Sequence, residues 1–113
     1  LKYAEDALVA HADLKAIYGA NDELGMGAAQ AVAAAGKKAG VVVTGMNGIP
    51  PALRAVKTGA MDLTVFLNPV AFGQTGVATM EAHLSGKKFD KTVFIDHVLV
   101  EKANVDKYLP PSN

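Results

Sequence analysis

This chain of 113 residues is long enough for one globular domain, since half of its residues are hydrophobic and only 19% are charged. Eleven basic residues balance eleven acidic ones, so there is no broad positive field and we expect no nucleic-acid partner. The sequence contains no cysteine, which excludes disulfides, thiolate metal sites and cysteine nucleophiles.

The first three predicted elements are a helix, a strand and a second helix. Apolar residues at helical spacing favour a helix within the first 14 residues, and "KAIYGA" at 15–20 is typical of a short strand. The second helix begins near Asn21 or Asp22, either of which can cap it, and runs to about residue 35. Its glycines and many alanines leave little side chain on one face, which lets its backbone lie close to a sheet.

The rest of the chain continues the alternation of strands and helices. "GVVVTGM" at 40–46 is continuously apolar and β-branched, which is typical of a parallel strand covered on both faces. The remaining predictions, in chain order, are a helix within 49–59, a strand at 61–67, a helix over 70–84, a strand at 91–100, a helical turn within 102–109 and a tail at 110–113. This order predicts a single α/β unit over 1–113, with three αβα layers, a mostly parallel sheet and right-handed crossovers.

Asparagine lies at three of the junctions between a strand and the following helix. These residues are Asn21, Asn47 and Asn68. The loops that follow parallel strands gather at one edge of the sheet, where ligands bind in open α/β folds. An amide offers one acceptor and two donors without a charge, so converging amides suit a ligand rich in hydroxyls. The three residues therefore predict a site for a small-molecule sugar or polyol.

At each single position a structural interpretation of the asparagine is the favoured one, and only the three together favour a ligand site. Asparagine is favoured in turns and at helix N-caps whatever the function, because its side chain bonds the local backbone. We interpret Asp22 as a cap, since its carboxylate would also meet the positive end of the helix dipole. Phe66 and Phe72 can stack on a sugar face, although core packing is the commoner role of such residues.

The sequence lacks the patterns of catalytic and metal sites. Its histidines, at 11, 83 and 97, are far apart and have no i, i+4 pairing. Its two serines, Ser85 and Ser112, lie in a turn and in the tail, without the context of a catalytic nucleophile. No phosphate-binding glycine loop of the P-loop type occurs. We therefore expect a protein that is not an enzyme and that uses no metal or cofactor.

Three segments together resemble one family. They are "AIYGANDELGMGAAQAVAAAG", "VVVTGMNGIPPALRAVKTG" and "LTVFLNPVAFGQTGVATMEAHLSGKK", which resemble, in this order, the carboxyl-terminal part of periplasmic sugar-binding proteins of the ribose-binding type. The superfamily also contains the effector domains of LacI-type repressors. The ending "VLVEKANVDKYL" is more similar to the transport proteins than to the repressors.

The resemblance implies a fold and a set of ligand contacts. The fold would be part of a type I periplasmic binding protein, which has two lobes that close on the ligand. Asn21 falls on an asparagine that binds sugar hydroxyls in the family, whereas Asn47 stands where ribose and galactose binders commonly have an aspartate. Leu67 occupies the place of a sugar-contacting glutamine, with Asn68 next to it. These two departures favour a sugar or polyol other than ribose.

The resemblance also implies that this chain is a fragment of a longer protein. Residues 1–67 would belong to the second lobe, and the region 70–100 would cross the hinge toward the first lobe. A free fragment would leave sheet edges and apolar helix faces open, so we expect self-association or the missing lobe as a partner.

Two functional hypotheses follow from the resemblance. The first is a periplasmic solute-binding component of an ABC importer, which binds a sugar or polyol without catalysis and presents it to a membrane permease. The alternative is the ligand-sensing domain of a LacI-type transcriptional repressor, for which a helix-turn-helix encoded upstream would decide.

Overall fold

A computed structural model describes residues 1–111 as four strands, four α-helices and one 3₁₀-helix. The helices are α1 (Lys2–Ala10), α2 (Asp22–Ala34), α3 (Pro50–Thr58) and α4 (Pro69–Leu84), and the 3₁₀-helix is Val105–Lys107. The strands are β1 (Ala16–Tyr18), β2 (Val42–Asn47), β3 (Leu63–Leu67) and β4 (His97–Glu101). The predicted tail includes residues 112 and 113, which lie outside the described residues, as does the candidate nucleophile Ser112.

The described chain forms two units. The first unit comprises Leu1–Phe66 and the chain from Val98 onward, and the second unit comprises Leu67–His97. The sequence predicted a single unit over 1–113. This division separates α4, with the segment that follows it, from the other helices.

The four strands form one sheet in the order β1-β2-β3-β4. β1 runs parallel to β2, with Tyr18 opposite Thr44, and β2 runs parallel to β3, with Asn47 opposite Phe66. The α/β class and the mostly parallel sheet are therefore confirmed. At the amino ends of the strands the carboxylate of Asp62 accepts a hydrogen bond from the backbone nitrogen of Val43 at 2.7 Å, which ties the turn before β3 to β2.

Helix α2 packs on β2 through glycines on both elements. A Cβ atom added at Gly25 would lie 2.8 Å from the carbonyl oxygen of Thr44 and 3.2 Å from the Cα of Gly45. A Cβ added at Gly45 would lie 2.5 Å from Oδ1 of Asp22. Because neither glycine has a side chain, the two backbones approach closely, as the sequence predicted for this helix.

The core of the first unit lies between the sheet and a layer of helices. Helix α2 contacts both α1 and α3. The sheet and this layer of helices are two of the three predicted layers. Fully buried members of the core include Val32, Val43, Leu53, Val56, Met61, Val100 and Val105. The prediction that β2 is covered on both faces is wrong in this unit, because buried Val43 and Gly45 alternate with more accessible neighbours, as in a strand with one covered face.

The second unit contains α4, whose described side chains are all at least partly exposed. Val77, Met80 and Leu84 form the predicted apolar stripe, and their exposed fractions are 67%, 58% and 78%. None of the helices within residues 1–111 combines the length and apolarity needed to cross a membrane. Because its side chains are exposed, the apolar stripe of α4 lies on the surface of the described chain.

The prediction of a strand at 91–100 is wrong for residues 91–96. β4 begins only at His97, and residues 91–96 have no regular structure, with Phe94 88% exposed. The β-branched and aromatic residues of this segment have a high strand propensity, but propensity forms a strand only where a neighbouring strand supplies hydrogen bonds.

We predict that Gly45→Ala destabilises the protein by about 1–3 kcal/mol, because the added methyl group would collide with the Asp22 carboxylate and with Cε of Met61. Gly40→Ala is the matched control, since its Cβ would have only the carbonyl oxygen of Lys37 near it, at 3.9 Å. Urea denaturation of the full gene product measures both. Equal midpoints for the two variants would contradict the close helix–sheet contact.

Candidate functional site

The carboxyl ends of β1 and β2 form one edge of the sheet in the first unit. The two strands are parallel neighbours, and the backbone nitrogen of Gly19, just after β1, donates to the carbonyl oxygen of Thr44 at 2.9 Å. Asn21 follows β1 and precedes α2, while Asn47 is the last residue of β2. These two candidate residues therefore belong to loops at the same edge. Asn68 belongs to the second unit.

Asn21 is the N-cap of α2. Its backbone is extended, with φ −146° and ψ 173°, and its Oδ1 accepts a hydrogen bond from the backbone nitrogen of Leu24 at 2.8 Å. This bond satisfies one of the free N–H groups at the start of the helix. The side-chain oxygen is thereby used by the protein, and the amide NH₂ is the part of Asn21 that can still donate to a ligand.

Asn68 has the same local role in the second unit. Its Oδ1 accepts hydrogen bonds from the backbone nitrogens of Val70 at 3.1 Å and Ala71 at 3.2 Å, at the start of α4. The side chain is exposed. Two of the three predicted ligand residues thus serve as helix caps, which is the structural interpretation that the sequence left open.

Asn47 differs from the other two because its side chain caps no helix. It is exposed and has a φ of 118°, which among residues 1–111 is the only positive φ outside glycine. Gly48 follows with a φ of 72°, and a Cβ there would lie 2.5 Å from Cδ2 of Phe66. Asparagine tolerates positive φ better than most residues, yet such a conformation still costs about 1–3 kcal/mol. Conformations of this kind concentrate at functional sites.

The two candidate stacking residues lie in different units. Phe66 packs against the core of the first unit, with its ring centroid 5.3 Å from that of Tyr108 and the ring planes inclined by 44°. It also lies directly against Gly48. Phe66 therefore supports the loop after β2. Phe72, which is 49% exposed, belongs to the second unit.

The interpretation of Asp22 as the cap of α2 is wrong, because Asn21 is the N-cap and the Asp22 carboxylate bonds to other parts of the chain. Asp22 is fully buried at the first position of α2. Its Oδ2 accepts a hydrogen bond from the backbone nitrogen of Ile49 at 2.8 Å, and its Oδ1 accepts one from Oγ1 of Thr64 at 2.5 Å. The carboxylate thus joins the start of α2 to the loop after β2 and to β3. The one available sequence signal was Thr64, a polar residue at an inward position of an apolar strand.

The two candidate side chains at this edge, Asn21 and Asn47, can form hydrogen bonds with a ligand but carry no charge. Asn47 and the NH₂ group of Asn21 are neutral, and the charge of Asp22 is buried and occupied by two donors. Within residues 1–111 no group of three or more acidic or histidine side chains is placed to hold a metal ion. Neutral amides can exchange water for ligand hydroxyls, Asn47 with its donors and its acceptor and Asn21 with its NH₂ group alone.

Comparison with known proteins shows which family this chain resembles. The family model of the periplasmic binding protein domain matches residues 1–88. Among characterised relatives, the D-allose-binding periplasmic protein of Escherichia coli (strain K12) is 43% identical over 106 residues, which cover 88% of this chain and 34% of that protein.

Solved structures give the same result. An ABC transporter periplasmic solute-binding protein from Actinobacillus succinogenes with bound D-allose has a TM-score of 0.85 at 28% identity, over 95% of this chain and 38% of that one. A solute-binding protein from Bacillus halodurans with bound myo-inositol has a TM-score of 0.81 at 33% identity, over 95% of this chain and 37% of that one.

The chain spans little more than a third of the length of each of these three proteins. All three are described as binding proteins and none as an enzyme, in agreement with the prediction of a noncatalytic protein. The match to the family model covers more than half of the chain, and the resemblance seen in the sequence is confirmed. This chain belongs to the periplasmic binding protein family.

Proposed function

We propose that this chain is the carboxyl-terminal part of a periplasmic solute-binding component of an ABC importer, which binds a sugar or polyol and presents it to a membrane permease. The observation that carries the proposal is the Asn47 side chain, which is exposed, caps no helix and lies at the same edge of the sheet as Asn21. Further support comes from the relatives, of which one is named for D-allose and two solved structures hold D-allose and myo-inositol.

In this proposal each amide has a separate part in recognition. Asn47 uses both its donors and its acceptor on adjacent ligand hydroxyls, whereas Asn21 contributes only its NH₂ group, because its oxygen caps α2. Asn68 is included because it lies at the third junction between a strand and the following helix, and its oxygen caps α4, which leaves its NH₂ group for a ligand. An amide at position 47 cannot act as a double, charge-assisted acceptor in the way that a carboxylate does. We therefore expect the preferred ligand to be a sugar or polyol other than ribose.

The longer protein would close two lobes around the ligand, and this chain would contribute to both. Residues 1–67 would form part of the second lobe and the region 70–100 would extend from the hinge to the first lobe. The division of the chain near Leu67 and His97 supports this arrangement. The exposed apolar stripe of α4 also supports it, since such a stripe is normally covered by other protein in the native assembly. Closure of this kind sequesters a solute for delivery.

A thermal-shift screen of the full gene product tests the proposed function. We expect at least one of D-allose, other hexoses and myo-inositol to raise the melting temperature, because a ligand at 100 times its Kd stabilises the folded state by about 2.7 kcal/mol. Glutamate and phosphate serve as charged controls and are expected to produce no shift. A protein that responds to no sugar or polyol, or that responds only to a charged solute, would contradict the proposal.

Replacement of Asn47 by glycine isolates the contribution of its side chain. Asn47→Gly is expected to weaken binding of the best ligand from the screen by about 1–3 kcal/mol, since ligand hydroxyls lose their partners. Glycine accepts the φ of 118°, so stability should not fall, whereas Asn47→Ala should lose both affinity and stability. Calorimetry and denaturation measure the two quantities. An unchanged affinity in Asn47→Gly would assign Asn47 to the turn alone.

Two replacements of Asn21 separate its cap from its proposed ligand contact. Asn21→Ala should destabilise the protein by about 1 kcal/mol, because the N–H group of Leu24 loses its acceptor. Asn21→Asp keeps the cap and the stability but removes the NH₂ donor, so only its affinity for ligand should fall. If Asn21→Asp binds as tightly as the unmodified protein, Asn21 acts as a cap only.

A further inference from the structure

The loop after β2 holds one non-glycine residue, Asn47, in an unfavourable backbone conformation. Asn47 and Gly48 have positive φ angles of 118° and 72° in succession. Ile49 then returns to an extended conformation, with φ −67° and ψ 151°, and two prolines begin α3. Positive φ is unfavourable for Asn47, so contacts from outside the loop must hold this geometry.

The contact that holds the loop is the hydrogen bond from Ile49 to Asp22. The backbone nitrogen of Ile49 donates to Oδ2 of the buried carboxylate at 2.8 Å. Pro50 and Pro51 have no N–H group, so the next main-chain donor after Ile49 is that of Ala52, the third residue of α3. The bond therefore fixes the chain two residues after Asn47.

The surroundings of Asp22 are suited to a buried carboxylate. The residue lies at the first position of α2 and binds the N-cap residue of α3, so the positive ends of two helix dipoles meet its charge. Thr64 satisfies the second oxygen, and the lack of a side chain at Gly45 leaves the space for it. These features offset the cost of removing the carboxylate from water.

We propose that Asp22 is a positioning residue of the ligand site. By holding the N–H group of Ile49, it fixes the left-handed turn at Asn47 and Gly48 and so sets the direction in which the Asn47 amide faces the ligand. Asp22 itself does not touch the ligand. The inference about ligand affinity rests on the proposed function, whereas the inference about the loop does not.

Two variants in the full gene product distinguish positioning from general stability. Asp22→Ala removes both hydrogen bonds, and we expect affinity for the best ligand of the sugar screen to fall about tenfold or more. Thr64→Val leaves one buried oxygen of Asp22 without a donor but keeps the bond to Ile49. It should lower stability and change affinity by less than about threefold. Calorimetry is carried out well below the melting temperature of each variant.

Two further variants test the same bond from each side. In Asp22→Asn the amide oxygen can still accept from Ile49 while its NH₂ group donates to Thr64, so affinity should stay near that of the unmodified protein. Ile49→Pro removes the donor itself, and its φ of −67° suits the proline ring. It should lower affinity about as much as Asp22→Ala, which keeps the test decisive if Asp22→Ala does not fold.

Amide hydrogen exchange without ligand gives the independent readout. The Ile49 amide should exchange slowly in the unmodified protein and in Thr64→Val, and fast in Asp22→Ala. Unchanged protection of Ile49 in Asp22→Ala, or an equal loss of affinity in Thr64→Val and Asp22→Ala, would overturn the proposal. If no sugar binds, the proposed function fails, while the exchange rates still decide whether Asp22 holds the loop.

Discussion

The close approach of α2 to β2 is the constraint on which the candidate site depends. Gly25 and Gly45 bring the two backbones together, and the buried carboxylate of Asp22 lies directly against Gly45. From there the carboxylate bonds to Ile49 in the loop after β2 and to Thr64 within β3, so one side chain joins the start of α2 to both of these strands. A bulkier residue at either glycine would move the helix, and with it the loops that carry the exposed amides.

Much of the fold could be predicted from the sequence because its signals are local. Gly59 ends α3 with a φ of 82°, prolines begin α3 and α4, and continuous β-branched residues mark β2. The same signals fixed the three junctions at which asparagine occurs. Residues 91–96 show the limit, since strand propensity there meets no partner strand among the described residues.

The candidate site was less predictable because its contacts join distant parts of the chain. Asp22 and Thr64 are 42 residues apart, and no local pattern shows that their side chains meet. The sequence also could not decide between capping and ligand binding for Asn21 and Asn68, since both uses require the same residue at the same junction. The positive φ of Asn47, which separates it from the other two, belongs to a loop that contacts residues distant in sequence, with Phe66 against Gly48 and Asp22 bonded to Ile49.

The left-handed backbone at position 47 restricts which residues can replace asparagine there. Beyond glycine, the side chains best tolerated at such a φ are asparagine, aspartate and histidine. Asparagine and aspartate are nearly identical in shape, yet one presents donors as well as an acceptor and the other only acceptors. Under the proposed function, an exchange of these two residues would change the hydrogen bonds offered to the solute without requiring a new backbone conformation of the loop.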